Sequence, residues 1–361
     1  MFTRHTRPIC RAAGAHGRTH LQVGLFIAIG FAIAFALTNG FHDAANAIAT
    51  LVATRGATPG QAVALSAVFN MAGAILLGTA VADTIGKIVT VPQGQMVPVV
   101  GAGLAGATGW NAITWWRGLP SSSGHALVGG LVGAAVADGI LTGSGGLGSV
   151  QWGGVEGWHP TGVIGVLVAL LISPPLGFVV AFLLLRLLRL ASRRWTTRWT
   201  DPVRGGGWVA AAGLSFSHGG NDAQKAMGVI AVLLLASGQT DTMSVPLWAK
   251  VVTGLALTVG TALGGWRIVK TIGQRIFSLT PVDSFASQAS STAVILGASL
   301  IGAPVSTTQV VASSVVGVGG GRRRWRHVSW QIVREMGVAW LTTIPAAALM
   351  AVAVLLVWRA L

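Results

Sequence analysis

The sequence predicts an all-α integral membrane protein built from two related halves, and three observations carry that prediction. Hydrophobic residues make up 52% of the 361 and charged residues 9%, with a mean hydropathy of +0.70, whereas a soluble domain carries roughly 25% charged residues. Apolar stretches long enough to cross a bilayer recur at residues 21–41, 62–82, 162–185, 245–263 and 337–358. Two polar, glycine-containing motifs then appear once in each half, in the same order.

The first motif is NGFHDAANA at 39–47, answered by HGGNDAQKA at 218–226, so that Asp43 aligns with Asp222 at an offset of 179. The second is GLPSSSGH at 118–125, answered by GAPVSTTQ at 302–309, with Pro120 on Pro304 at an offset of 184. Two motifs repeated at nearly one offset mark an internal duplication. The chain divides into a basic tail (1–20), a first membrane repeat (21–185), a basic linker (186–205) and a second membrane repeat (206–361). Duplicated halves with interruptions at matching positions are the sequence signature of secondary transporters, whose sites lie near the midplane between repeats. Inverted topology would need an odd number of crossings per half, which hydropathy alone does not count.

The formal charge of +15 does not imply nucleic acid, because the arginines fall between apolar runs. Arg186, Arg189, Arg193, Arg194, Arg198 and Arg204, and then Arg322, Arg323, Arg324 and Arg326, sit in short loops that the positive-inside rule places in the cytoplasm. Arg4, Arg7, Arg11 and Arg18 predict the same side for the tail. Trp115, Trp116, Trp195, Trp199, Trp325 and Trp330 lie near span ends, as interfacial aromatics do. Cys10 is the only cysteine, which excludes an internal disulfide and a thiolate metal cluster. Residues 34–36 fit a small-x-small cleavage pattern, but cleavage there would leave the 39–46 motif at a ragged terminus.

Asp43 and Asp222 are two of nine acidic residues, and an Asp at the centre of a membrane helix costs about 2.5–3.5 kcal/mol on insertion scales. N-capping near a headgroup would explain one such Asp, but not two at matching positions. Gly40 and Gly219–Gly220 predict local unwinding beside them. The carboxylates with Asn39, Asn46 and Asn221 form a hard-oxygen set suited to Na⁺, Mg²⁺ or Ca²⁺, and protonation of one carboxylate is the other way to carry a cation. In the second motif, proline at a helix start with Ser122, Ser123, Ser306, Thr307 and Thr308 offers hydroxyls, free N–H groups and the positive dipole end to an oxyanion. Plain N-capping and Ser/Thr packing are the bland reading of each hairpin alone. Lys225 is placed to pair with a carboxylate, to attract the anion directly or to snorkel. His42, His125 and His218 are candidate proton relays or structural donors.

At these residues the sequence resembles the inorganic phosphate transporter (PiT) family, particularly its bacterial low-affinity members, over roughly residues 22–357. The resemblance implies two inverted-topology repeats, each with a broken helix and a re-entrant helical hairpin, and often a homodimer. It implies import of inorganic phosphate across the cell membrane by cation symport. Asp43 and Asp222 would then handle cation and phosphate together, with Asn39 and Asn46 on the cation side, Asn221 on the phosphate side and the five hydroxyl residues gripping phosphate. His42, where sodium-coupled members have Asn, and Gln224–Lys225, where a second Asn is common, favour H⁺ over Na⁺ and phosphate carried as a complex with Mg²⁺ or another divalent ion. Gly124 stands where Thr is usual.

Three rival readings follow from the same residues. A sulfate permease would use a similar cradle, although a protonated phosphate offers an acceptor such as Asp43 a donor that sulfate lacks. A membrane phosphate sensor would be expected to carry a soluble signalling domain. A membrane hydrolase would need more than the loose spacing of Ser122 and His125. The GSGGLG string at 143–148 matches a dinucleotide fingerprint but lacks a βαβ context, and His16 with His20 lacks a third ligand for a metal.

Overall fold

The computed structural model describes residues 9–156, 159–191, 200–264 and 266–360. The chain is helical apart from the two-residue strands Val155–Glu156 and His159–Pro160. The first half contains α1 (Ile9–Ala53), α2 (Pro59–Leu76), α3 (Ala80–Ile85), α4 (Gln93–Arg117), α5 (Ser123–Leu141) and α6 (Gly162–Ala191). The second contains α7 (Thr200–Ala236), α8 (Leu247–Leu263), α9 (Trp266–Lys270, continued by a π turn Thr271–Arg275), α10 (Pro281–Leu300), α11 (Thr307–Gly321) and α12 (Trp330–Ala360). The two sets correspond element for element, and so does their packing: α1 lies on α8 as α7 lies on α2, and α5 on α12 as α11 on α6. Among the described residues, six helices (α1 from Gln22, α2, α4, α5, α6 and α12) are long and apolar enough to cross a membrane. The α8–α9 pair, bent by 73°, makes a seventh candidate.

Local chemistry sets the helix ends. Thr58 and Gln61 form a capping box with Pro59 at the first helical turn of α2, and Thr280 with Asp283 does the same before Pro281 in α10. Asp283, two residues after Pro281, accepts from the Thr280 backbone N–H at 2.8 Å. Gly118, at φ +68°, closes α4 in the left-handed region that favours glycine. Ser122 and Ser306 cap α5 and α11, each side chain accepting from the N–H three residues on. The turns at 118–122 and 301–306 are therefore the tips of two helical hairpins, α4–α5 and α10–α11, and both are buried over Pro120–Ser122 and Pro304–Ser306.

Helix breaks occur, but not where the motifs predicted them. They fall at the matching α2/α3 and α8/α9 junctions, whereas α1 and α7 run unbroken through 39–47 and 218–226. The motif glycines do other work. A Cβ on Gly40 would come within 2.9 Å of Gly260 Cα on α8, and one on Gly73 of α2 within 2.9 Å of Gly220 N on α7. Small residues there let backbones approach closely, as in membrane helix pairs. Gly40→Ala is expected to force α1 off α8 and lower stability by about 1–3 kcal/mol, read as a lower unfolding midpoint in detergent. An unchanged midpoint would contradict this packing role.

Polarity is reversed relative to a soluble domain. Phe26, Leu171, Leu341 and Leu349 are outward and exposed, while Asn, Asp, Ser and Thr side chains from α1, α4, α7, α10 and both hairpin tips are buried. The two basic loops share one face: Trp325 stacks on Phe178 of α6 at 6.0 Å and on Trp330 at 6.3 Å, and Arg186 lies over Phe182. Helix α6 arrives at this face with its C-terminal half, and its counterpart α12 departs from it. At the opposite face Trp358 lies against Gly24 and Gly101, and Arg359 pairs with Asp138. Arg4 and Arg7 of the basic tail lie outside the described residues. Past Gly24, α1 crosses to the linker side, where Gly56 in the turn that follows it accepts through its carbonyl from Trp208 Nε1 at 3.0 Å. Arg193, Arg194, Arg198, Trp195 and Trp199 lie outside the described residues, while Trp115, Trp116, Trp325 and Trp330 are exposed near helix ends.

Candidate functional site

The unbroken helices α1 and α7 bring Asp43 and Asp222 to the junction of the two halves, both fully buried. Each carboxylate is met by a hairpin tip. Asp43 accepts from Ser123 Oγ at 2.8 Å through Oδ2 and from Thr308 Oγ1 through Oδ1. Asp222 Oδ2 accepts from Thr307 Oγ1 at 3.0 Å. The α11 tip thus donates to both carboxylates at once, and Asn46 Nδ2 ties the cluster by donating to Asp43 Oδ1 (3.2 Å) and Thr308 Oγ1 (3.0 Å).

Lys225 is fully buried one turn after Asp222 and does not snorkel. Its Nζ donates to Asp222 Oδ1 at 2.5 Å and to the Val305 carbonyl at 3.1 Å, joining α7 to the second tip. Helix geometry puts residues i and i+3 side by side, so the sequence spacing already allowed this pair. With Lys225 charged, the formal balance of the two carboxylates and the ammonium is −1. Gly124 borders this group, since a Cβ there would lie 3.6 Å from Lys225 Nζ and 3.8 Å from Ser122 Oγ. A threonine at that position would crowd the ammonium.

The three motif histidines differ in placement. His42 Nδ1 lies 3.1 Å from Asp43 Oδ1, and its Nε2 is 3.2 Å from Thr114 Oγ1 and 3.1 Å from Ser121 Oγ. His218 Nε2 is 3.0 Å from Asp222 Oδ2, and its Nδ1 is 3.1 Å from Asn70 Oδ1. His125 turns back on its own cap, 2.7 Å from Ser122 Oγ, and reaches neither carboxylate. Asn221 donates to Ser299 Oγ at 2.8 Å, while both polar atoms of Asn39 and the Oδ1 atoms of Asn46 and Asn221 have no hydrogen-bond partner among the described residues. Thr114, Ser121, Asn70 and Ser299 escaped the sequence reading. Ser121 lies within the first hairpin motif, but a lone Asn, Thr or Ser in an apolar helix carries no local signal, and only the fold brings Thr114, Asn70 and Ser299 against the motifs. Gln224, beside Lys225, accepts from Val81 N at 2.9 Å and so caps the short helix α3.

Chemically this is a place for a cation and an anion together. Ligand atoms of Asp43, His218 and Asp222 lie within 4.8 Å of one another, all buried, and offer two hard oxygens and one imidazole nitrogen to a cation. Facing them, the N-termini of α5 and α11 carry N–H groups at Ser123, Gly124, Thr307 and Thr308 that helix geometry leaves without an intrahelical acceptor. Ser122 and Ser306 are occupied as caps, which leaves Ser123, Thr307 and Thr308 as the hydroxyls that point inward.

Comparison with known proteins agrees with this chemistry. The profile described as "Phosphate transporter family" matches residues 39–351. A probable low-affinity inorganic phosphate transporter of Rhizobium meliloti is 40% identical over 293 residues, covering 81% of this chain and 83% of that one. Its Bacillus subtilis counterpart is 38% identical, covering 80% and 84%. A solved structure described as the sodium-dependent phosphate transporter superposes with a TM-score of 0.84 over 94% of this chain and all of that one, at 22% identity, and shares the fold. The chain belongs to the phosphate transporter family and is a multi-pass protein of the cell membrane.

Proposed function

We propose that this chain imports inorganic phosphate by symport with a proton, at the junction where Asp43 and Asp222 face the two hairpin tips. The observation that carries this reading is the buried Lys225–Asp222 pair. A fixed ammonium already offsets one carboxylate, so one further positive charge balances the site. A proton on Asp43, with His42 beside it at 3.1 Å, supplies that charge without the larger ligand sphere sodium requires. Phosphate then lies against Ser123, Thr307, Thr308 and the free N–H groups of α5 and α11, with Asn46 and Asn221 at its edge. Asn39, one turn before Asp43, has an unpartnered amide for the cation side. A divalent ion such as Mg²⁺ enters as cargo complexed to phosphate, and Asp43, His218 and Asp222 are the groups that would meet it.

The two repeats have inverted topology in this reading. Support comes from α6 and α12, equivalent helices that run in opposite senses relative to the face holding both basic loops, which is the cytoplasmic one by the positive-inside rule. Rocking one repeat against the other would expose the site to each side in turn.

The test is uptake of labelled phosphate into proteoliposomes under separate proton and sodium gradients, with and without Mg²⁺, and with sulfate as competitor. Proton-driven accumulation raised by Mg²⁺ is the expected result. Accumulation that follows sodium alone would overturn proton coupling, and sulfate uptake in preference to phosphate would overturn the substrate.

A further inference from the structure

Beneath the first hairpin tip, between α4 and α12, lies a cavity of about 920 Å³. Beside the second tip, between α10 and α6, lies another of about 860 Å³. Their walls correspond under the repeat. Thr114, Arg117 and Leu119 of the first stand 184 residues before Ala298, Ile301 and Ala303 of the second, and Glu335, Ala339 and Thr342 stand 170 residues after Gly165, Ala169 and Ile172. The repeat thus produces the same hollow twice, each walled by the first helix of a hairpin and a helix of the other half.

The two hollows differ in charge. The first has Arg117 and Arg334 on its wall against the single acid Glu335, while the second has Ile301 in the place of Arg117 and no ionisable residue. Neither Arg117 nor Arg334 has an ion-pair partner among the described residues. Thr114 belongs to both cavity and site, since its Oγ1 bonds His42 Nε2 and Ser121 Oγ beside Asp43. Trp330 lines the cavity and stacks on Trp325, so the cavity opens toward the basic-loop face.

The geometry points to this first cavity as an aqueous anion vestibule, in which Arg117 and Arg334 concentrate free phosphate at the basic-loop face, beside Asp43. Two unpaired guanidiniums in a walled cleft focus the local field and raise anion occupancy there. A phospholipid headgroup has the same phosphate chemistry, but the continuity through Thr114 to the carboxylate cluster favours the free anion. The inference rests on the transport reading above.

The experiment uses full-length protein in proteoliposomes, with phosphate offered from one face at a time. In the R117Q/R334Q double variant, the apparent KM from the basic-loop face is expected to rise about tenfold and to lose its dependence on ionic strength, while the KM from the opposite face stays as in the parent. The same result is expected in vesicles with and without anionic lipid. An unchanged KM at the basic-loop face overturns the inference, and an effect confined to anionic vesicles assigns the arginines to a headgroup instead. A second measurement does not depend on uptake. In a Cys10→Ser background, Thr342→Cys should be modified by a membrane-impermeant thiol reagent from the basic-loop face only, and inorganic phosphate on that face should slow the reaction. No modification, or modification from the other face, overturns the vestibule even where phosphate uptake is intact. A parent that accumulates no phosphate under any gradient defeats the transport reading, while the labelling pattern still decides the vestibule.

Discussion

Asp43→Asn is expected to lower phosphate uptake by at least about a hundredfold in proteoliposomes while the protein still inserts and stays monodisperse. The wild-type carboxylate accepts from Ser123 on one oxygen and from Thr308 and Asn46 on the other. An amide keeps one acceptor oxygen and turns the second position into an N–H₂ donor, so a hydroxyl that donated to the carboxylate must reverse, and the charge-assisted bonds to the hairpin tips become neutral ones. Hydrogen bonds to a charged group contribute about 1.5–3 kcal/mol each, and losing one or two at the substrate junction accounts for the predicted factor. The substitution also removes the group proposed to carry the coupling proton, so accumulation should vanish even where phosphate exchange survives in part. Uptake within twofold of wild type would remove Asp43 from the mechanism.

Much of this arrangement was legible in the sequence, because membrane burial makes polar residues conspicuous. Asp43 and Asp222 stood out against an apolar background, and their repetition at matching places pointed to one composite site. Pro120 and Pro304, followed by runs of Ser and Thr, marked helix starts, and α5 and α11 do begin there. The glycines were misread for a physical reason: Gly40 and Gly220 supply closeness between helices rather than freedom within one, and a sequence does not show which neighbour approaches. The same limit hid Thr114 and Asn70, which matter only because α4 and α2 pack against the motifs from elsewhere in the chain. Asp138 and Asp283 are tied to Arg359 and Arg322 near helix ends at opposite faces. A pairing between residues 39 or 221 positions apart leaves no local trace.

Lys225→Met should destabilise the folded protein by about 3–5 kcal/mol, because it removes one partner of a buried pair and strands the other. Asp222 would retain only Thr307 and the neighbouring His218 as partners, with no lysine or arginine within hydrogen-bond reach among the described residues. Methionine fills nearly the same volume, so the loss reports charge and hydrogen bonding rather than a cavity. Uptake should fall with it, since the Val305 carbonyl loses its donor and the second tip its tie to α7. The double variant Lys225→Met/Asp222→Asn removes both charges together, and replacing both members of a buried pair is often close to neutral for stability. It should therefore recover most of the unfolding midpoint in detergent while remaining unable to accumulate phosphate. Recovery of the midpoint without recovery of uptake would separate the structural share of the pair from its share in transport. A Lys225→Met variant as stable as the parent would show instead that Asp222 is already neutral in the folded protein, and the charge balance proposed for the site would fail.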